Sequence, residues 1–324
     1  MTEPQIERKL IEIIRIISES DKPIGARHIA DELNNRGYGI GERAVRYHLR
    51  ILDERGFTKK YGYAGRTITE LGRKELDDAL IGDRLGFVIT RIEKLIYNTN
   101  YDLKSKEGDV IINISYLDKD DFDDAVAIMK YAAETGVVIS PRVKIFEEDS
   151  DSDIYVPPDK IGIATVCSIT FDGLLLKYGI PVKTSYGGIL QIENQENVKF
   201  LDLISYNGTS IDPIKIFLNR HSTSVLDVME KGTGKVLSNM RQIPASAREK
   251  ANEILKLAEE SDISGAIKIG EDSEEVFGAP VDIGRSGIPV IVGINAIAAV
   301  EEAGIEVVTH PVSTVLKYNT MSAL

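Results

Sequence analysis

A chain of 324 residues, 43% hydrophobic and 28% charged, is long enough for two or three globular domains and has no composition that favours disorder. Its single cysteine, Cys167, excludes an internal disulfide and a cysteine zinc cluster, and fits a reducing cytosol. The formal charge is −12, yet the first 80 residues hold fifteen Lys or Arg against fourteen Asp or Glu. The negative surplus therefore lies in the remainder, which repels phosphate, so any contact with nucleic acid must be local to the front.

Ile6, Leu10, Ile13, Ile14 and Ile17 recur at helical spacing and predict a first helix over 5–19. Asp21-Lys22-Pro23 breaks it, and Ile29, Ala30 and Leu33 mark a second helix over about 26–34. After a short link with Gly37, Gly39 and Gly41, a third helix runs from 42 to about 55, with Val45, Leu49 and Leu52 as its buried stripe. That stripe leaves Arg43, Arg46, Tyr47 and Arg50 on the outer face, and Gly56 ends the helix. Residues 57–61 and 66–69 alternate as two short strands around Gly62 and Gly65, and a fourth helix over 70–80 closes the unit. Three helices and a hairpin make a winged helix-turn-helix over 1–80, whose third helix enters the major groove. Charge runs usually just solvate a helix face. Here the excess of Arg favours phosphate and guanine edges, with Lys59, Lys60 and Arg66 on the wing as phosphate contacts.

The body, 86–324, repeats internally. Residues 108–134 align without a gap on 234–260, pairing Gly108 with Gly234, Asn113 with Asn239 and Ala125 with Ala251. A second block aligns one residue shorter, pairing Gly179, Ile180, Val182 and Thr184 with Gly304, Ile305, Val307 and Thr309. We read two halves, about 86–207 and 208–324, each a duplicated α/β unit. Each has a strand (110–117; 236–243), a helix (121–134; 247–260), a returning strand (142–146; 266–269), then a further strand and helix. Helices packed on a sheet follow from that alternation. Residues 169–178 read as helix from their mate 296–303, although Phe171-Asp-Gly-Leu174 also suits a tight hairpin.

Two sets of motifs carry a family resemblance. Arg46-Tyr-His-Leu-Arg-Ile-Leu-Asp-Glu-Arg-Gly-Phe57 followed by Gly65-Arg-Thr-Ile-Thr-Glu-Leu-Gly72 is similar to the winged-helix domain attached to ribonuclease R, a domain that also heads the archaeal NrpR repressors. The body resembles NrpR in Lys160-Ile-Gly-Ile-Ala-Thr-Val-Cys-Ser-Ile-Thr170, Ser185-Tyr-Gly-Gly-Ile-Leu190, Asp212-Pro-Ile-Lys-Ile-Phe217, Arg241-Gln-Ile-Pro244 and Val292-Gly-Ile-Asn-Ala-Ile-Ala-Ala-Val-Glu-Glu-Ala-Gly-Ile305. The resemblance implies a repressor of nitrogen-fixation and ammonia-assimilation operons that binds double-stranded operator DNA as a homodimer and leaves it when 2-oxoglutarate accumulates. This chain has one regulatory domain where some relatives have two, so a second NrpR-type protein is a further expected partner.

A small dicarboxylate needs anion sockets held by few groups. Cys167-Ser168 and Asn295 end buried strands where helices follow, and Arg142, Arg241 and Arg285 near strand ends are candidate carboxylate clamps. Tyr186-Gly187-Gly188 reads as a flexible turn that lets backbone approach a ligand. Each has a plainer reading, as core thiol, surface ion pair or simple turn, so the assignment rests on convergence. Two other classes remain open: an enzyme using Cys167, with His221 or His310 as base, and a protein-interaction platform. The four histidines lack metal-ligand spacing and no HExxH, P-loop or GxGxxG pattern occurs, so neither metal nor cofactor is expected. Asp149-Ser-Asp-Ser-Asp153 lacks the glycine and distal glutamate of a calcium loop and reads as a solvated linker. Charged Glu7, Arg8 and Lys9 argue against a signal peptide, and the longest apolar run, 288–300, is too short for a bilayer. A cytoplasmic location without membrane contact is expected.

Overall fold

A computed structural model describes residues 3–20, 22–35, 39–148 and 154–324. Asp21, Gly37 and the acidic stretch 149–153, read above as helix break, link and linker, lie outside the described residues. The chain divides into two compact units, Met1–Leu85 and Gly86–Leu324.

The first unit packs α1 (Glu3–Ser18), α2 (Ala26–Asn35) and α3 (Glu42–Glu54) around one core. Leu10, Ile13, Ile14 and Ile17 of α1 meet Ile29 and Leu33 of α2 and Val45, Leu49 and Leu52 of α3. Burying each such side chain is worth about 1.5–3 kcal/mol relative to leaving it in water. Gly56 takes φ +75° beyond the end of α3, the left-handed geometry that stops a helix. Strands β1 (Thr58–Lys60) and β2 (Arg66–Ile68) pair antiparallel as the wing. Gly65, at φ +120°, is obligatory, because a Cβ there would collide with the Ile24 carbonyl that β2 bonds. The fourth helix, α4, does not stop near residue 80 as the sequence suggested, but runs Glu70–Asn98 and carries the chain into the second unit.

The second unit contains β3 (Asp109–Asp118), α5 (Phe122–Glu134), β4 (Arg142–Phe146), β5 (Lys160–Val166), α6 (Thr170–Lys177) and β6 (Lys183–Glu193). The hairpin strand β7 (Glu196–Ser205) and the short helices α7 (Pro213–Asn219) and α8 (Val225–Lys231) follow. The second copy is β8 (Gly234–Pro244), α9 (Arg248–Glu259), β9 (Arg285–Ile291), α10 (Asn295–Glu302) and β10 (Val308–Lys317), and β11 (Ser322–Ala323) ends the chain. The helix reading of 169–178 holds as α6, whereas 266–269 forms only a single bridge, Ala266 to Val290, instead of a strand.

Two antiparallel sheets result, in the orders β10-β3-β5-β4-β11 and β7-β6-β8-β9. The first copy follows the β-α-β-β-α-β pattern, whose fourth strand ordinarily returns beside its own first, and the second follows it with the Ala266 bridge in place of its second strand. Here the fourth strands are exchanged: β6 of the first copy lies beside β8, and β10 of the second lies beside β3. Helices are shared likewise, α5 packing with α10 and α6 with α9. The two halves therefore interleave, and each hydrophobic core draws on both. A matching clasp recurs in the copies. Thr170 Oγ1 bonds the backbone N and O of Ile111 at 3.1 and 3.2 Å. The Asn295 amide bonds N and O of Leu237 at 2.8 and 3.0 Å.

Candidate functional site

On α3 the helical period sorts the side chains as its stripe demands. Val45, His48, Leu49 and Leu52 are buried, while Arg43, Arg46, Tyr47 and Arg50 are exposed. Arg46 donates from Nε and Nη2 to Glu42 Oε1 at 3.1 and 2.6 Å. Such an exposed pair is worth about 0.3–0.5 kcal/mol, so a phosphate or a base edge can displace it at little cost. Lys59 and Lys60 are exposed on the wing, with Lys59 Nζ 5.5 Å from the centre of the Tyr61 ring. Arg66 departs from the expected free phosphate contact. Its Nε and Nη2 donate to Asp53 Oδ2 at 2.9 and 2.8 Å, and Thr58 Oγ1 donates to Asp53 Oδ1 at 2.6 Å. Arg66 thus ties the wing to the end of α3, a partnership across 13 residues that strand alternation does not reveal. His48 is buried with Nδ1 unpartnered, and burial and then Lys9 lower its pKa.

The nine residues proposed for an effector do not all converge. Cys167, Ser168 and Arg241 share one buried cluster. There Asn239 Nδ2 donates to Ser168 Oγ at 2.9 Å, and the Tyr206 hydroxyl donates to Asn239 Oδ1 at 3.4 Å. Arg241 Nε donates to Asp172 Oδ1, Thr184 Oγ1 donates to Asp172 Oδ2 at 2.6 Å, and Arg241 and Asp172 are both 0% exposed. Burial raises the Asp172 pKa while Arg241 opposes that shift. Among the described residues, Arg241 Nη1 and Nη2 have no partner.

Gly187 adjoins this cluster, since a Cβ there would stand 3.3 Å from Asn239 Oδ1, and the other candidates lie elsewhere. Asn295 spends its amide on Leu237. Gly187 and Gly188 are not a flexible turn but the middle of β6, where small size matters: a Cβ would stand 2.8 Å from Pro213 Cβ at Gly187 and 2.5 Å from Asp202 O at Gly188. Tyr186 packs beside them against Met240 and Val276. Arg142 opens β4, donates to Met321 O at 3.1 Å and lies over the Tyr318 ring. Arg285 opens β9, its backbone paired with Pro244. As a nucleophile Cys167 is handicapped, since burial pushes its thiol up to about 12 and leaves almost no thiolate at neutral pH. Neither His221 nor His310 hydrogen-bonds it among the described residues.

Two adjoining cavities open beside β10. One, of about 740 Å³, is lined mainly by apolar groups, among them Ile114, Phe146, Ile154 and Leu316. The other, of about 410 Å³, is lined by Arg91, Lys215, Asp212 and His310 between apolar walls that include Val88, Ile92, Ile211 and Val312. Asp212 Oδ1 accepts from Ile214 N at 2.8 Å as the cap of α7, and burial raises its carboxyl to about 6. Burial, then Lys215 and Arg91, lower the His310 pKa. Sequence reading missed this cavity because its charged residues come from three distant segments. Among the described residues no His, Cys, Asp or Glu cluster fits a metal ion, and no helix is long and apolar enough to cross a membrane.

Against this geometry, residues 85–323 match the NrpR regulatory domains NRD1 and 2, and residues 11–76 match the ribonuclease R winged-helix domain. The chain is 64% identical to the global nitrogen regulator NrpRI of Methanosarcina mazei over the full length of both. It is 37% identical to the global nitrogen regulator NrpR of Methanocaldococcus jannaschii, matching 98% of this chain and 55% of that protein. The NrpR of Methanococcus maripaludis is 35% identical, over 91% of this chain and 51% of its own. A crystal structure of a nitrogen repressor-like protein from Methanococcus jannaschii superposes with a TM-score of 0.62 at 30% identity, covering 73% of this chain and 97% of that one.

Proposed function

The chain belongs to the NrpR family of nitrogen regulators, and from that membership we propose a DNA-binding transcriptional repressor of nitrogen-assimilation and nitrogen-fixation genes, released from its operator by 2-oxoglutarate. The observation that carries the reading is the exposed Arg43–Arg46–Tyr47–Arg50 face of α3, set on a buried apolar stripe and followed by a basic wing. A helix of this shape fits the major groove, and the wing lysines fit phosphates. Palindromic half-sites require two such units, which favours a homodimer. The chain spans about half the length of two of its relatives.

Effector and operator need only modest coupling. A tenfold loss of DNA affinity corresponds to about 1.4 kcal/mol, within the usual allosteric range of about 1–3 kcal/mol. Fluorescence anisotropy of a labelled nitrogen-assimilation promoter tests the whole reading. The full chain should bind at low salt and lose at least tenfold in affinity at millimolar 2-oxoglutarate. Binding that ignores 2-oxoglutarate refutes the effector, and the same affinity for unrelated duplexes refutes the repressor.

A further inference from the structure

We propose that a small organic carboxylate binds in the 410 Å³ cavity beside β10, clasped by Arg91 and Lys215 with His310 at its edge. This assignment rests on the effector reading above and moves the site away from the strand-end arginines.

The cavity holds two cations, Arg91 and Lys215, that only Asp212 of its lining offsets. Lys215 is half-buried and forms no hydrogen bond or ion pair through its ammonium among the described residues. Arg91 donates one bond, Nη2 to Ser313 O at 3.0 Å, and has further N–H groups to give. The one acid in the lining, Asp212, is engaged as the cap of α7. Walls formed by Ile92, Ile211 and Val312 between such cations suit a ligand with charged ends and a short apolar body.

Backbone strain marks the same wall. β10 changes register between His310 and Thr314, and within that bulge Val312 sits at φ +50°. A β-branched residue avoids this region, so the conformation persists because its surroundings impose it. Buried Asn113 supplies the constraint, accepting from Val312 N at 3.1 Å. Bulges of this kind re-aim side chains next to binding sites.

The internal repeat shows that only one copy keeps the place open. β6, the counterpart of β10, has its own irregularity between Thr184 and Tyr186, but its outer edge is covered by β7 and its Gly187 by Pro213 and Ile214. β10 is an edge strand, with no strand paired to its outer side among the described residues. Behind the cavity, Ile92 and Val312 pack in one cluster with Cys167 and Tyr206, which leads on to the buried Arg241–Asp172 pair. A ligand here would press on the element that joins the two copies.

The test is calorimetry of the full chain with 2-oxoglutarate as probe. Wild type should bind, and Arg91→Met and Lys215→Met should each weaken binding at least tenfold, while Lys199→Met on the far sheet edge leaves it unchanged. Lys215→Gln guards against a folding defect peculiar to methionine, and thermal melting confirms that each variant is folded. Folded variants that bind like wild type overturn this site and leave the effector reading standing. Absence of binding by wild type overturns the effector reading, and the site with it.

Discussion

The buried Arg241–Asp172 pair makes the sharpest claim on the energetics of the body. Both side chains are 0% exposed, and they join β8 of one copy to α6 of the other. Deleting one partner of such a pair leaves an uncompensated charge without water, a cost of about 3–5 kcal/mol. For a body of this size each kcal/mol lowers the melting temperature by roughly 2–4 °C, so Asp172→Ile or Arg241→Ser alone should lose about 6–20 °C. The equivalent contact between the copies shows what replaces the pair. Under the repeat alignment Arg241 corresponds to Ser115 and Asp172 to Ile297, and Ser115 simply shares a 3.0 Å hydrogen bond with Thr309, the mate of Thr184.

Installing that solution, Arg241→Ser with Asp172→Ile, removes both charges at once, so the double variant should melt above either single variant. The coupling in the double-mutant cycle should fall at the upper part of the usual 0.5–3 kcal/mol range, roughly 2–3 kcal/mol. Differential scanning calorimetry of the full chain reads all four proteins, following the transition assigned to the body. Additive losses would refute the reasoning, as would single variants that melt within about 2 °C of wild type.

Two other expectations concern the wing and the cap of α7. Lys59→Ala should lower the slope of log affinity against log salt by about 0.9, the signature of one phosphate contact, whereas Arg66→Ala should leave the slope unchanged and instead lower the stability of the winged unit, because Arg66 is spent on Asp53; an equal loss of slope in both would restore Arg66 to the DNA. Asp212, raised to about 6, holds its proton more tightly in the folded chain than its ordinary value of 3.8 allows. Its contribution to stability is therefore complete below about pH 4 and is lost as pH rises through 6, so Asp212→Asn should flatten the melting profile over that window. A profile that stays as steep would mean another group titrates there.

What could be read without coordinates depended on how far apart the partners lie along the chain. The helices of the front unit follow from a period of 3.6 residues, and the end of α3 from Gly56, all local signals. The duplication was equally plain, because it is a property of the string. Its consequence was not: an offset between Gly108 and Gly234 says that two units are alike, but is silent on whether a fourth strand returns to its own sheet or crosses to the other. The β6–β7 hairpin also escaped, since its two turn residues with positive φ, Asn194 and Gln195, lack the glycine that usually announces such a turn.

The site shows the same division more sharply. Arg241 reads from the sequence as a carboxylate clamp near a strand end, and its partner Asp172 sits inside a segment whose very secondary structure was open. Lining up the copies offers the signal that spacing could not. Where both copies keep one solution, as with the Thr170 and Asn295 clasps, the residues maintain the shared architecture. Where one of the two equivalent contacts between the copies has Ser115 and Ile297 and the other has Arg241 and Asp172, the architecture does not require the charge, since the same fold is built without it a few strands away. A buried charge that the fold can do without, placed behind a cavity that only one copy leaves open, belongs to what this body does more than to what holds it together.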